Sequence, residues 1–235
     1  MVAIGTTPAA VAAKAATTVV PIVFVIDTDP VKLGLVASLN RPGGNLTGVS
    51  FLNRAIVAKQ FEILNEAVPT ASISGFLVNP SNPFVDQDTS DAQMAASSLG
   101  RKMVVAKATT EKEIDVALPA LAKQGVGSLL VAGDLLFNNR MGQITSLAAR
   151  FAMPALYPWR EATVAGGLMS YGADIQDAFR LGGVFVGKIL SGNKPTELPV
   201  EQATKIELVL NMKTAKALGV SFPLSLLGRA DEVIE

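Results

Sequence analysis

The sequence predicts an α/β fold in two lobes, each a parallel sheet flanked by helices. Short runs rich in Val, Ile and Leu alternate along the chain with longer helical patterns. Several of the short runs are apolar at consecutive positions, as strands buried on both faces are. Strand–loop–helix units recur roughly every 25–30 residues, the spacing of βαβ crossovers and hence of a parallel sheet. The 235 residues suit one large domain or two lobes of roughly 100 residues each.

In chain order, strands are expected at 2–4, 22–26, 46–51, 73–78, 103–106, 128–132, 155–157, 168–171 and 206–210. Thr7-Pro8 places a capping hydroxyl before a proline at the first helical position. Asp29-Pro30 repeats that device and predicts a helix through about Ser38. Residues 53–70 read as a helix followed by a linker. Asn82-Pro83 opens a helix that ends near Gly100, and Thr110-Glu111-Lys112-Glu113 fits a capping box. Residues 138–151 and 174–190 complete the helices, with Gly192 as the stop of the last. Lobe boundaries are expected at 53–70, at 161–167 and at 193–199, where Pro195 and Pro199 bracket an irregular stretch. The spacing alone leaves one sheet or two undecided. Three crossings would give two lobes joined by a hinge.

Composition narrows the function classes. Lys plus Arg and Asp plus Glu both number 20, so the net charge is zero and no basic surface is available to replace phosphate counterions. No nucleic-acid partner is expected on that ground. The absence of Cys removes disulfides, thiolate nucleophiles and Cys-based metal sites. The absence of His removes a Ser-His-Asp triad and a His-zinc site. No cofactor, metal ligand or catalytic residue is assigned. No stretch approaches the ~18 apolar residues of a membrane span, and Met1-Val2-Ala3-Ile4-Gly5 carries no export signal. There is no G-x-G-x-x-G, no Walker loop and no H-E-x-x-H. Asn45-Leu46-Thr47 matches a glycosylation sequon, a pattern too common to weigh.

Ligands of open parallel sheets sit beyond the carboxyl ends of the strands. The polar residues that follow each strand are therefore the candidates. They are Thr6 and Thr7, then Asp27, Thr28 and Asp29, then Asn79, Ser81 and Asn82, then Asp134, then Trp159, Arg160 and Glu161. The only Trp and both Tyr residues fall between 157 and 171, whereas Phe is spread along the chain. Amphipathic aromatics suit a ligand cleft, and they equally suit a plug at a hinge or sheet end. Asp29 reads as an N-cap. Asp27 has no obvious capping role and is the better ligand candidate. Asp134 either accepts a hydrogen bond from a ligand amine or caps the next helix. Asn79, extended before Pro80, either binds ligand or shapes a turn. The candidate ligand-binding set is Thr6, Thr7, Asp27, Asn79, Asp134, Tyr157, Trp159, Glu161 and Tyr171. A ligand carboxylate at the helix N-termini of Thr7, Ser81 and Asn82, with an ammonium at Asp27 or Asp134, would make an amino-acid site.

Several stretches resemble one family. Pro21-Ile22-Val23-Phe24-Val25, Asp29-Pro30-Val31, Leu33-Gly34-Leu35-Val36 and Asn40-Arg41-Pro42-Gly43-Gly44-Asn45 are similar to the ABC transporter substrate-binding family related to tryptophan/tyrosine-binding lipoproteins. So are Tyr157-Pro158-Trp159-Arg160-Glu161, Gly167-Leu168-Met169-Ser170-Tyr171-Gly172 and Arg229-Ala230-Asp231-Glu232-Val233-Ile234. The resemblance implies the type I periplasmic-binding fold. It places the first lobe at 1–53 plus 168–195 and the second at 70–165 plus 200–235, with 54–69, 166–167 and 196–199 as hinge or linker. It also implies a small-molecule ligand in the cleft between the lobes, an ABC permease as partner, no enzymatic chemistry and a periplasmic or extracytoplasmic location. Relative to the family, two βα units are expected before the strand at 2–4, which leaves the first lobe incomplete and open to homo-oligomerisation through its free edge. Two rival readings share the fold class. One is the sensing lobes of a transcriptional regulator. The other is a His-free enzyme using Asp27, Asp134 or Glu161 as acid and base.

Overall fold

The computed structural model describes residues 1–4, 7–51, 56–203 and 205–235. The chain forms two compact units, Met1–Arg54 with Ala173–Lys205 and Ala55–Gly172 with Ile206–Glu235.

The first unit is a four-stranded parallel sheet. Its order is β1 (Val2–Ile4), β2 (Ile22–Ile26), β3 (Leu46–Phe51) and β9 (Glu201–Ala203). Pairing of Ile22 with Leu46, Phe24 with Gly48 and Ile26 with Ser50 puts these side chains on one face. There α1 (Thr7–Ala16) adds Ala10 and Ala13 to a core with Leu35 and Val36. Helix α8 (Ile175–Leu190) covers the other face of the same sheet, where a Cβ at Gly182 would lie 2.7 Å from Val25 Cγ2. Each residue of β2 is buried, which is why that strand reads as a continuous apolar run. Gly48 lets β3 run against β2. Its φ is +154°, and a Cβ there would stand 2.0 Å from the Phe24 carbonyl oxygen.

Asp174 caps α8 by accepting from the Asp177 N–H at 3.0 Å, and it receives Lys205 Nζ at 3.0 Å. Burial works to raise the Asp174 pKa, but these two contacts outweigh it and hold the carboxyl below its ordinary range. The sequon belongs to the same unit and is structural. Asn45 Nδ2 donates to the carbonyls of Thr17 and Val20, and the buried Thr47 hydroxyl donates to Leu198 O at 2.7 Å.

The second unit is a seven-stranded sheet of order β11-β10-β8-β7-β6-β4-β5. Its strands are β4 (Ile73–Val78), β5 (Lys102–Lys107), β6 (Ser128–Val131), β7 (Ala155–Tyr157), β8 (Met169–Ala173), β10 (Ile206–Asn211) and β11 (Glu232–Ile234). Alternation along the strands fills two cores. Phe76, Leu130, Leu156 and Met169 face α2 (Val57–Ala67), which contributes Phe61 and Leu64. Leu77, Leu129 and Val131 face α4 (Glu111–Lys123) and α6 (Met141–Arg150), which contribute Ile114, Leu118, Leu121 and Ile144. The remaining helices are α3 (Val85–Ser98), α5 (Leu135–Asn139), α7 (Arg160–Val164), α9 (Met212–Leu218) and α10 (Leu224–Leu227).

Five expectations give way here. No helix forms at 29–38. The Asp29 cap is made, with Oδ1 accepting from the N–H groups of Val31 and Lys32, but Gly34 at φ +64° turns the chain out of helical space. The helix expected within 53–70 forms as α2 (Val57–Ala67), but it packs into the second core through Phe61, Ile63 and Leu64 instead of serving as a 54–69 hinge or linker. Residues 168–172 join the second unit instead of the first. Their strand β8 pairs Met169 with Leu156 and Ser170 with Tyr157, and this buries Leu168 and Met169. Residues 200–205 stay with the first unit, because β9 pairs with β3. The capping box also shifts by one. Thr110 Oγ1 accepts from Glu113 N, but Glu113 Oε2 reaches back to the Thr109 N–H at 2.6 Å.

Candidate functional site

In the first unit, the loops beyond β1 and β2 bring three polar side chains together. Thr7 opens α1, and its hydroxyl donates to Asp27 Oδ1 at 3.2 Å. It also lies 2.8 Å from the Thr28 hydroxyl. A hydroxyl has one proton, and Thr7 spends its proton on Asp27, so Thr28 is the donor in the second bond. The chain Thr28→Thr7→Asp27 therefore runs toward the carboxylate. Thr7 and Thr28 are both buried. Thr28 is the residue that sequence reasoning passed over when it chose its neighbour. Thr6 lies outside the described residues.

In the second unit, the loops beyond β4 and β6 meet. Asn79 Nδ2 donates to Asp134 Oδ1 at 3.0 Å, and Asn79 Oδ1 accepts from the Ser81 N–H at 2.9 Å. Asp134 is also the N-cap of α5, accepting from the Leu136 N–H at 2.9 Å. Both alternatives left open for Asp134 and Asn79 thus have a structural half. One caps a helix and the other shapes a turn, and each does so while bonding the other. Trp159 stands at the N-cap position of α7 and is 8 % exposed. Its Cζ2 comes within 4.0 Å of where a Gly133 Cβ would be, so the indole edge lies beside the backbone that precedes Asp134. A cavity of about 10 Å³, room for one water at most, is lined by Phe137, Asn138, Met141, Tyr157, Pro158 and Trp159.

The two tyrosines do not join one aromatic patch. Tyr157 pairs in register with Ser170, so Tyr171, one residue on, points to the opposite face of the sheet. Tyr157 is 2 % exposed and packs in the core beside α4 and α6, where burial pushes its phenol pKa well up. Tyr171 is half-buried against the core beside α2, and its carbonyl accepts from Gln60 Nε2 at 2.8 Å. Glu161 lies in the first turn of α7, next to Arg160. Arg160 holds Glu232 of β11 in a two-pronged ion pair, Nε to Oε2 and Nη2 to Oε1, both at 2.7 Å. No group of three His, Cys, Asp or Glu side chains among the described residues could hold a metal ion. No helix among them is long and apolar enough to cross a membrane.

Two helix-flanked sheets, each with polar side chains gathered beyond its strand ends, define the type I periplasmic-binding fold. The chain belongs to the ABC transporter substrate binding protein family, whose pattern matches residues 1–234. It is 28 % identical over 212 residues to a tyrosine-binding protein of Clostridioides difficile, an alignment that takes in 90 % of this chain. The chain spans 61 % of the length of that relative. Among solved structures, it resembles an ABC domain in complex with L-Trp from Streptococcus pneumonia. That pair has 27 % identity and a TM-score of 0.86, covering 99 % of this chain and 78 % of the other. A conserved domain protein of Vibrio cholerae is similar at 29 % identity and a TM-score of 0.84, covering 99 % and 77 %.

Proposed function

We propose that this chain binds an amino acid, with aromatic side chains preferred, and delivers it to the permease of an ABC importer without chemistry of its own. The observation that carries this reading is the similarity to a domain holding L-Trp, which extends over 99 % of the chain. The strand ends supply suitable groups. In the first unit Asp27 is a carboxylate for a ligand ammonium and the start of α1 offers backbone N–H groups to a carboxylate; in the second, Asp134 is a carboxylate and Trp159 offers an apolar ring edge. The half-buried Tyr171 and Glu161 complete the proposed contacts, and the buried Tyr157 lines the same small cavity as Trp159. The family's role supports a periplasmic or extracytoplasmic location for the working protein.

Calorimetry against the twenty common L-amino acids is expected to find binding of L-tryptophan or L-tyrosine, and silence across the panel overturns the reading. In the same titration Asp134→Asn keeps an oxygen for the cap but removes the charge. It is expected to weaken binding about tenfold or more, the scale of a charged hydrogen bond. Unchanged affinity removes Asp134 from the ligand's ammonium.

Self-association belongs to the same reading. Strand β1 is an edge of the first sheet, and its Val2 is half exposed. Light scattering at micromolar concentration is expected to give a dimer or larger species, and a sharp monomer overturns this part.

A further inference from the structure

We propose that Ser50 is a ligand-contacting residue of the first unit, supplying a hydroxyl hydrogen bond to the polar end of the bound amino acid; this rests on the amino-acid reading above. Ser50 is 1 % exposed, and its Oγ has no hydrogen-bond partner. A buried hydroxyl left unpaired costs the protein stability, so native structures keep few of them and those few call for an explanation. Its position supplies one. Ser50 pairs in register with Ile26, the last residue of β2, and the next residue along is Asp27. The side chain stands on the α1 side of the sheet, with Ile26 and Phe24, and Thr7 at the start of α1 bonds Asp27 and Thr28 there. Thr7 and Thr28 spend their hydroxyl protons within the chain Thr28→Thr7→Asp27, whereas Ser50 keeps a donor and its acceptor lone pairs unused among the described residues. That is the state expected of a group whose partner arrives with the ligand.

The other unpartnered buried groups lie in the second unit, away from Thr7, Asp27 and Thr28 in sequence and sheet. Ser170 shares a sheet face with Tyr157, which is packed in the core of the second unit. Thr163 lies in α7, where Asn211 Nδ2 donates to its carbonyl at 3.1 Å. Gln143 Oε1 belongs to an amide whose nitrogen bridges Glu111 O and Asp115.

The test separates a contact from a packing role because the two predict opposite signs. Ser50→Ala removes an unsatisfied hydroxyl, so the ligand-free variant should melt at or above the wild-type temperature. Its affinity for L-tryptophan and L-tyrosine should fall about tenfold, the scale of one lost hydrogen bond. Ser170→Ala, which also removes an unpartnered buried hydroxyl, should leave affinity unchanged. A lower melting temperature for ligand-free Ser50→Ala overturns the proposal, because the hydroxyl then has a partner within the protein. So does wild-type affinity in Ser50→Ala, or an equal loss in Ser170→Ala. If the wild type itself binds neither amino acid, the amino-acid reading fails and Ser50's role falls with it. If the wild type binds and Ser50→Ala binds equally, only the assignment of Ser50 falls.

Discussion

Gly48→Ala is expected to cost the first unit more than about 4 kcal/mol, a large share of the about 5–15 kcal/mol that holds a domain folded. Two effects add. The backbone at Gly48 has a φ of +154°, which an L side chain rarely adopts. The new methyl would also stand 2.0 Å from Phe24 O, 2.7 Å from Phe24 N and 2.8 Å from Phe24 C. All three are backbone atoms of the paired strand, so no side chain can swing away. The strands would have to part, and β2 and β3 are the middle of the sheet. Circular dichroism with urea titration reads the loss. A midpoint within a few tenths molar of wild type would sink the prediction.

The second large effect falls beside the candidate site. Gly167→Ala puts a methyl 2.7 Å from Ala162 O and 2.7 Å from Tyr157 Cε2. The carbonyl is held by the Gly167 N–H at 2.8 Å, and the ring is 2 % exposed within its core, so neither yields readily. Overpacking of this kind costs about 1–3 kcal/mol. The strain reaches Trp159 through the two-residue link from Tyr157, so weaker binding of L-tryptophan is expected along with the lower stability. Adding Tyr157→Leu relieves the ring clash but not the carbonyl clash. The double variant should therefore recover part of the stability, read as a coupling energy in a double-mutant cycle. Strict additivity would place the strain elsewhere.

Much of the fold was legible because burial on both faces writes itself as consecutive apolar residues. The run Ile22–Ile26 could be little else, and pairing along β2 and β3 follows from it. The strands that escaped notice, Glu201–Ala203 and Glu232–Ile234, are three-residue edge strands that are each partly exposed. Their place is set by the neighbour they pair with, which no local pattern carries. The Asp29 cap was read correctly from Asp-Pro, but the same stretch holds Gly34, and one left-handed residue decided the outcome.

The site was legible as positions rather than as contacts. Polar residues after strands could be picked out one by one, and Asn79 with Asp134 and Thr7 with Asp27 do meet. That Tyr157 and Tyr171 point to opposite faces depends on a count of one residue in strand register, and nearness in sequence conceals it. Ser50 went unnoticed because it lies inside a strand. Only the structure reveals that its hydroxyl has nothing to hold.

The first sheet takes three strands from residues 2–51 and its fourth from residues 201–203, so it is completed long after it is begun. Thr47 bonds Leu198 across 151 positions, Gly182 closes on Val25, and β9 docks on β3. Until α8 and β9 have been synthesised, the face of β2 that carries Val25 has no cover and β3 has a raw edge. At translation rates of about 5–20 residues per second, that interval lasts on the order of ten seconds. A nascent chain in this state is a natural client for a holding chaperone. Its yield should thus depend on how fast residues 173–205 follow, a kinetic demand that equilibrium stability does not express.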